Sequence, residues 1–498
     1  MDRAAATLYQ RAAHTSVMSR AETSKIYVPA PEGKKYLPFQ LAGIEFALQR
    51  QHTLIADEPG LGKTIQAIGF VNATKPSNVL VVCPASLRRN WQRELDRWLV
   101  DAQGSKVFVV SYEQAKTEYN ALVKVPWDVL VLDEAHYLKN PKAGRTKTIF
   151  GFDEYTTPRL ERGRPVGGHS HTKGIFETAT RVLALTGTPI ANRPKDAWTI
   201  VHALAPSVFP KYIDFAKRYC DAKSEVIATK GGNGRKGGLR KVWKFDGQSN
   251  LSELGEKLRA SIMIRREKMS VLKDLPDKTR QILPLDLKSA KAHKSFDKRV
   301  GKLIGEKLKQ AEGRGDFKAF GAMIQQVIPF DEMARVRKEI GLEKLPAVMA
   351  FLDERLCLDR EKSKFESEEK LVVFAHHREV LSTIKTAYGR HCVVFWGGMS
   401  DNQRAAAVDA FQNDPEVRVF AGQIQASGTG LTLTASSTVV FAELDWVPAN
   451  LVQAEDRIHR IGQKQSALAI YLVVDGSLEA RMAYLLAEKD EVIRTALR

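Results

Sequence analysis

The sequence predicts an α/β protein made of two lobes, each a parallel sheet wrapped by helices. Three observations predict it. Short apolar, β-branched runs recur and end in polar or small residues, helix-period stretches lie between them, and the pattern breaks once in mid-chain. Runs of this length and apolarity suit strands buried on both faces of a parallel sheet. Strand and helix in alternation place ligands at the C-terminal ends of the strands.

The first-half strands are expected at 53–56, 78–83 (NVLVVC), 106–110 (KVFVV), 127–132 (WDVLVL) and 181–185 (RVLAL). Second-half strands are expected at 370–374, 391–395, 417–420, 438–441 and 468–473. Residues 86–99 and 402–411 read as intervening helices. This gives an N-terminal segment 1–35, a first lobe 36–204, a helical insertion or linker 205–369 and a second lobe 370–498. Strand signals fade in the linker, and charged helical stretches such as 251–259 and 288–310 take over. Two loops stand out: 152–174, long and Gly/Pro-rich, and 230–241 (KGGNGRKGGLRK), glycine-rich and basic. Both compositions favour mobile loops.

The chain has 498 residues and is 44% hydrophobic, ample for large buried cores. Its 76 lysines and arginines exceed 58 acids by 18. Such a surplus favours a polyanionic partner, although a basic surface kept for solubility leaves the same trace. Four dispersed cysteines, Cys83, Cys220, Cys357 and Cys392, form no metal-ligand spacing and no disulfide framework. The start lacks a signal-peptide core, and no apolar run reaches the roughly 20 residues of a membrane span. A cytoplasmic protein is expected, in a bacterial or viral setting, or a nuclear one if the source is eukaryotic.

Residues 57–64 read Asp-Glu-Pro-Gly-Leu-Gly-Lys-Thr between a strand and a helix-like run. That is the setting of a phosphate-binding loop. Gly60 and Gly62 let backbone N–H groups close around phosphate, and the helix N-terminus adds its positive dipole end. Lys63 suits the β- and γ-phosphates of ATP, and Thr64 suits Mg²⁺. Asp57 replaces the first glycine of the general pattern and is expected, with the rest of the loop, to bind the nucleotide. About 70 residues on, an apolar strand ends in Asp133-Glu134-Ala135-His136. Asp133 is the second expected Mg²⁺ ligand, and Glu134 the general base for the attacking water.

With these segments the chain resembles a superfamily-two helicase, and more closely the SWI/SNF-type DNA translocases. The resemblance implies two RecA-like lobes. Gln40, in LPFQLAGIEFAL, stands where that group reads adenine. The segments around Ser86, Arg88 and Asn90-Trp91, and around Ser111 and Tyr112, resemble DNA-contacting stretches. Leu185-Thr186-Gly187-Thr188-Pro189 resembles the segment that couples hydrolysis to grip. In the second half, Ser427, Thr429 and Gly430 fall in SGTGL, and Trp446 follows Leu444-Asp445. The resemblance assigns Gly430 to the nucleotide and Ser427, Thr429 and Trp446 to DNA. Residues 453–463 (QAEDRIHRIGQ) carry Arg457 and Arg460, which the resemblance makes the γ-phosphate arginines, sharing a helix face at a spacing of three.

Arg218–Ala222, Met263–Arg266, Leu275–Lys278 and Phe374–His377 look most like the HARP-type (HepA-related) annealing helicases. The implied activity is ATP-dependent translocation on double-stranded or branched DNA by a monomer, with remodelling or annealing of branches. A strand-separating helicase and an ATP-gated remodeller of a complex such as RNA polymerase are the alternatives. Annealing helicases carry a separate recognition domain before the motor, whereas about 35 residues precede the segment that contains Gln40 here. A weaker preference for forks is therefore expected. His169 and His171, with no cysteine nearby, are not read as a metal site.

Overall fold

The computed structural model describes residues 21–100, 104–155, 159–161, 164–166, 169–190, 193–228, 239–245, 247–285, 338–359, 364–427, 431–445 and 448–474. The chain divides into two compact units, one running to Lys273 and the other starting at Asp274.

In the first unit, alternation along each strand sends side chains to opposite faces, and both faces find a hydrophobic cover. The strands are β1 (His52–Ile55), β2 (Asn78–Cys83), β3 (Lys106–Ser111), β4 (Trp127–Asp133), β5 (Ala179–Leu185) and β6 (Met263–Ile264). They form one parallel sheet in the order β6-β1-β5-β4-β2-β3. Val79, Val81, Val129 and Val131 pack with Phe70 of helix Lys63–Thr74 and with Trp91 and Leu95 of helix Arg88–Trp98. Leu80, Val82, Leu130 and Leu132 pack on the other side with Ile200, Phe215 and Leu258. The strand order sets β1, β5 and β4 side by side. Their C-terminal ends therefore bring residues 56–62, 186–189 and Asp133-Glu134 to one edge.

The second unit repeats the plan. Its strands are β7 (Lys278–Leu285), β8 (Leu371–Ala375), β9 (Cys392–Phe395), β10 (Val419–Gln423), β11 (Thr438–Phe441) and β12 (Ala467–Val474). They are all parallel, in the order β7-β12-β11-β8-β10-β9. Phe374, Phe420 and Phe441 face one layer, with Phe411 and Leu451. Val373, Ala421, Val440 and Leu472 face the other, with Val348, Leu352 and Ile384. The fold is thus α/β with two RecA-like parallel-sheet lobes.

Among the described residues, the middle of the chain holds strands as well as helices. β6 and β7 come from it and complete the two sheets, and Lys223–Ala228 pairs antiparallel with Leu239–Lys244. β6 is only two residues long. β7 (KTRQILPL) is an edge strand, so it alternates and tolerates Pro284, and no continuous apolar run marks it. Residues 288–310 and 230–238 lie outside the described residues. The expected loop 152–174 instead contains the antiparallel pairs Phe152–Tyr155 with His169–Thr172 and Arg159–Glu161 with Arg164–Val166. Among the described residues, no helix is long and apolar enough to cross a membrane, and all four cysteines are free thiols.

Candidate nucleotide-binding site

The phosphate loop is built as a continuation of the β1–β6 ladder. Ala56 N donates to Ile264 O (2.8 Å), Glu58 N donates to Arg266 O (3.1 Å), and Lys268 N donates to Glu58 Oε2 (2.8 Å). The chain then turns through Gly60 (φ 93°) and Gly62 (φ 75°) into helix Lys63–Thr74. Gly62 provides no side-chain cap, so the first-turn N–H groups of that helix face the loop without one. A Cβ on Gly62 would sit 2.6 Å from Gln40 Nε2. Lys63 Nζ folds back onto the carbonyls of Asp57 (2.9 Å) and Glu58 (3.4 Å), and Thr64 follows it in the first turn. This donor set of N–H groups, an amine and a hydroxyl fits phosphate and a divalent cation.

Two of the expected cofactor residues are held by bonds within the protein. Gln40 is 2% exposed; its Oε1 accepts from Leu37 N (3.0 Å) and its Nε2 donates to Leu61 O (3.4 Å). It thus caps its own helix and braces the glycine turn. Asp57, expected to touch nucleotide, is fully buried and faces away from such a role. Its carboxylate accepts from Gln66 Nε2 (2.9 Å), Arg266 N (3.0 Å), Arg266 Nε (2.9 Å) and Arg266 Nη2 (2.5 Å). A lone carboxylate would be costly in that setting, and the guanidinium satisfies it in bidentate fashion.

β4 delivers Asp133 and Glu134 to the same edge. Asp133 Oδ2 accepts from Trp91 Nε1 (2.7 Å) and Oδ1 from Glu134 N (2.9 Å). Burial pushes the Asp133 carboxyl well above the usual range, and the neighbouring Glu134 charge adds to this; the Trp91 bond and Lys63 oppose it. A divalent cation beside it would relieve that penalty. Glu134 adopts a left-handed backbone (φ 49°, ψ 50°), rare for a residue with a Cβ and common at working sites. Its Oε2 lies 3.2 Å from His136 Nδ1, which also lies 3.2 Å from Thr186 Oγ1. Thr186 Oγ1 accepts from Thr188 N (3.1 Å), so one imidazole joins the Asp133-Glu134 strand end to the Leu185–Pro189 segment.

The expected DNA contacts divide. Arg88 is exposed at the start of helix Arg88–Trp98, and Ser86 is half-buried just before it. Ser111 and Tyr112 are not surface donors. Ser111 Oγ accepts from Gln114 N (3.0 Å) as the N-cap of helix Tyr112–Thr117. Tyr112 is 1% exposed, donates to Asp133 O (2.9 Å) and stacks on Tyr137 at 5.9 Å. The resemblance put both beside the site, but Ser111 caps the helix that Tyr112 begins, and the first turn of that helix lays the tyrosine into the core. Ser427 ends the short helix Ile424–Ser427; Thr429, Gly430 and Trp446 lie outside the described residues.

In the second unit, helix Pro448–Glu455 ends before the two arginines. The chain leaves it through tight turns, with Arg457 N on Ala454 O (3.1 Å) and Ile458 N on Glu455 O (3.2 Å). Arg457 and Arg460 therefore do not share a helix face. Arg457 is 2% exposed and its Nη1 donates to Leu431 O (3.4 Å). Arg460 is only half-buried, with Nε on Asp456 O (2.9 Å) and Nη1 3.5 Å from Thr432 Oγ1. The turn is anchored by Glu455, fully buried between Lys278 Nζ (2.8 Å) and Arg280 (Nε 2.7 Å, Nη2 2.8 Å), with Tyr471 OH also donating to it. Lys278 also reaches Asp456 (3.1 Å). Nearby, Glu443 accepts from His376 N and His377 N (both 2.9 Å) and pairs with His377 Nδ1 (2.6 Å), tying the ends of β8 and β11. Burial would push this carboxyl up, but the His377 bonds hold it below the usual range.

The structural roles of Trp91, His136, Gln66, Arg266, Lys278, Arg280 and Glu455 were not read from the sequence. His136 carried a local signal, its place beside the acid pair. Trp91, Arg266, Lys278 and Arg280 meet their partners across large sequence separations, such as Arg266 with Asp57.

The sequence model of the SNF2-related domain matches residues 39–157 and 170–330, and that of the helicase conserved C-terminal domain matches 348–462. The chain is 35% identical, over 95% of its length, to the human DNA annealing helicase and endonuclease ZRANB3, and covers 41% of that protein. It is 30% identical, over 92% of its length, to the Caenorhabditis elegans SWI/SNF-related matrix-associated actin-dependent regulator of chromatin subfamily A-like protein 1 homolog, and covers 61% of it. The chain thus spans about two fifths to three fifths of these relatives. Among solved structures, the Sulfolobus solfataricus SWI2/SNF2 ATPase core in complex with dsDNA matches over 94% of each chain, at 21% identity and a TM-score of 0.38, too loose a likeness to place a residue.

Proposed function

The chain belongs to the SNF2-related family, and on that premise we propose that it is an ATP-dependent translocase on double-stranded DNA that remodels or anneals branched DNA. The observation that carries this reading is the single strand edge in the first unit that gathers the glycine turn, the Asp133-Glu134 pair and the Thr186–Pro189 segment, the last two joined through His136. A hydrolytic site bonded to a segment of the kind that senses DNA is what a motor requires. A relative named as an annealing helicase supports the branched-DNA part of the reading.

In this mechanism Lys63 and the first-turn N–H groups bind the ATP phosphates. Thr64 and Asp133 would hold Mg²⁺, which, when bound, offsets phosphate charge as a Lewis acid. Glu134, oriented by His136, accepts the proton of the attacking water. Arg460 is assigned the charge that develops on the γ-phosphate; such arginines are worth about 10³–10⁵ in rate. Arg457, buried under the 431–433 segment, is a support for that turn. DNA is held at its phosphates by groups such as Ser86 and Arg88, which carry no sequence information. The protein is assigned to a DNA-containing compartment, cytoplasmic or nuclear, and acts as a monomer.

The test is the ATPase rate with single-stranded, duplex, forked and RNA ligands. Clear stimulation by plain duplex, with at most a several-fold further gain from forks, is expected. Stimulation by single strands or RNA but not by duplex contradicts it.

A further inference from the structure

Among the described residues, Arg266 touches three separate elements around the phosphate loop. Its Nε and Nη2 hold both oxygens of Asp57, at the entry to the loop. Its Nη2 also donates to Gln66 Oε1 (2.9 Å), on the helix that begins at Lys63. Its Nη1 donates to Phe39 O, the residue before Gln40. The guanidinium is 1% exposed and Asp57 is 0% exposed. Space for it is reserved: a Cβ on Gly43 would meet Gln66 Oε1 at 1.9 Å and Arg266 Nη2 at 2.7 Å. The backbone repeats the tie, with Glu58 N on Arg266 O and Arg266 N on Asp57 Oδ1. Its neighbour Arg265 Nη1 bonds Ala56 O (2.7 Å) and Gly187 O (3.3 Å).

We propose that Arg266 is a positioning residue for ATP binding, and that Asp57 stands in place of the usual first glycine of the phosphate loop to receive it. The loop entry is set by the segment just after β6, more than 200 residues downstream (|i−j| = 209), near the point where the chain leaves the first unit. Neither residue touches nucleotide. Together they fix the backbone from which Lys63 and the glycine turn project, as well as the helix that carries Gln40. The assignment rests on the ATP-site reading above and adds a residue to it.

Asp57→Gly restores the general loop pattern, so a reading from the motif alone expects normal or better nucleotide binding. The opposite is expected here, because a buried cation loses its carboxylate. The single variant should melt earlier and bind a fluorescent ATP analogue at least about tenfold more weakly. The double variant Asp57→Gly/Arg266→Met removes both charges. It should regain most of the melting temperature while its nucleotide affinity stays about tenfold down. Arg266→Lys keeps the charge without the bidentate fork, and should raise KM for ATP several-fold with a smaller change in kcat. Duplex DNA affinity without nucleotide should stay within about twofold in all three. A double variant with parental nucleotide affinity, or an Arg266→Lys variant with parental KM, overturns the proposal. Absence of DNA stimulation in the parent would instead sink the translocase reading, while the comparison of nucleotide affinities would still stand.

Discussion

At the scale of single residues, the left-handed Glu134 and the buried Tyr112 make opposite tests. Glu134→Gln keeps the shape beside His136 and removes the base. Turnover should fall below about a tenth of the parent rate with ATP and DNA binding intact; retained turnover would remove Glu134 from the role of base. Tyr112→Phe deletes only the hydroxyl that donates to Asp133 O. It should cost about 0.5–1.5 kcal/mol in chemical denaturation, without altering duplex affinity; a large loss of duplex affinity would restore Tyr112 as a DNA contact. The two residues also mark how far the sequence could be read. That Lys63, Asp133 and Glu134 come to one strand edge was legible because chemistry ties such residues to short local patterns. Tyr112 was adjacent to the right place but aimed the other way, and Arg266 was invisible because its partner lies 209 positions away.

Among the elements, the strands buried on both faces were legible nearly residue for residue: 78–83 and 438–441 coincide with β2 and β11. The edge strands β6 and β7 were not, since an edge strand needs neither length nor a continuous apolar run. Yet β7 carries the cluster that anchors the arginine turn. Burial alone would raise the Glu455 carboxyl, but Lys278 and Arg280 hold it down to about 2, against an ordinary value of 4.5. A depressed carboxyl contributes stability that is complete above its unfolded value. That contribution should shrink as pH falls from about 4.5 and vanish below about 2. Glu455→Gln leaves the part-buried Arg280 without this carboxylate and Lys278 with Asp456 alone, and should cost about 1–3 kcal/mol at neutral pH. Acid titration should then narrow the gap between variant and parent. A gap that is independent of pH between 7 and 2.5 would contradict the assignment of that stability to the Glu455 charge.

The whole molecule carries a formal charge of +18 and is read as gripping a polyanion at its phosphates. Duplex binding should therefore be indifferent to sequence. With about 6–10 phosphates neutralised it should weaken by about 10³–10⁵ between about 50 and 200 mM salt; a flat salt response would point to base readout instead. A motor that holds both strands in one groove needs no wedge, and re-pairing strands is downhill because stacking is recovered. The most direct measurement places the same labelled strands in a simple tailed duplex and in a movable fork, with ATP and the protein in excess. ATP-dependent regression or closure of the fork, with little single strand released from the tailed duplex, is the predicted result. Efficient unwinding of the tailed duplex with no remodelling of the fork would contradict the account and make the protein a strand-separating helicase.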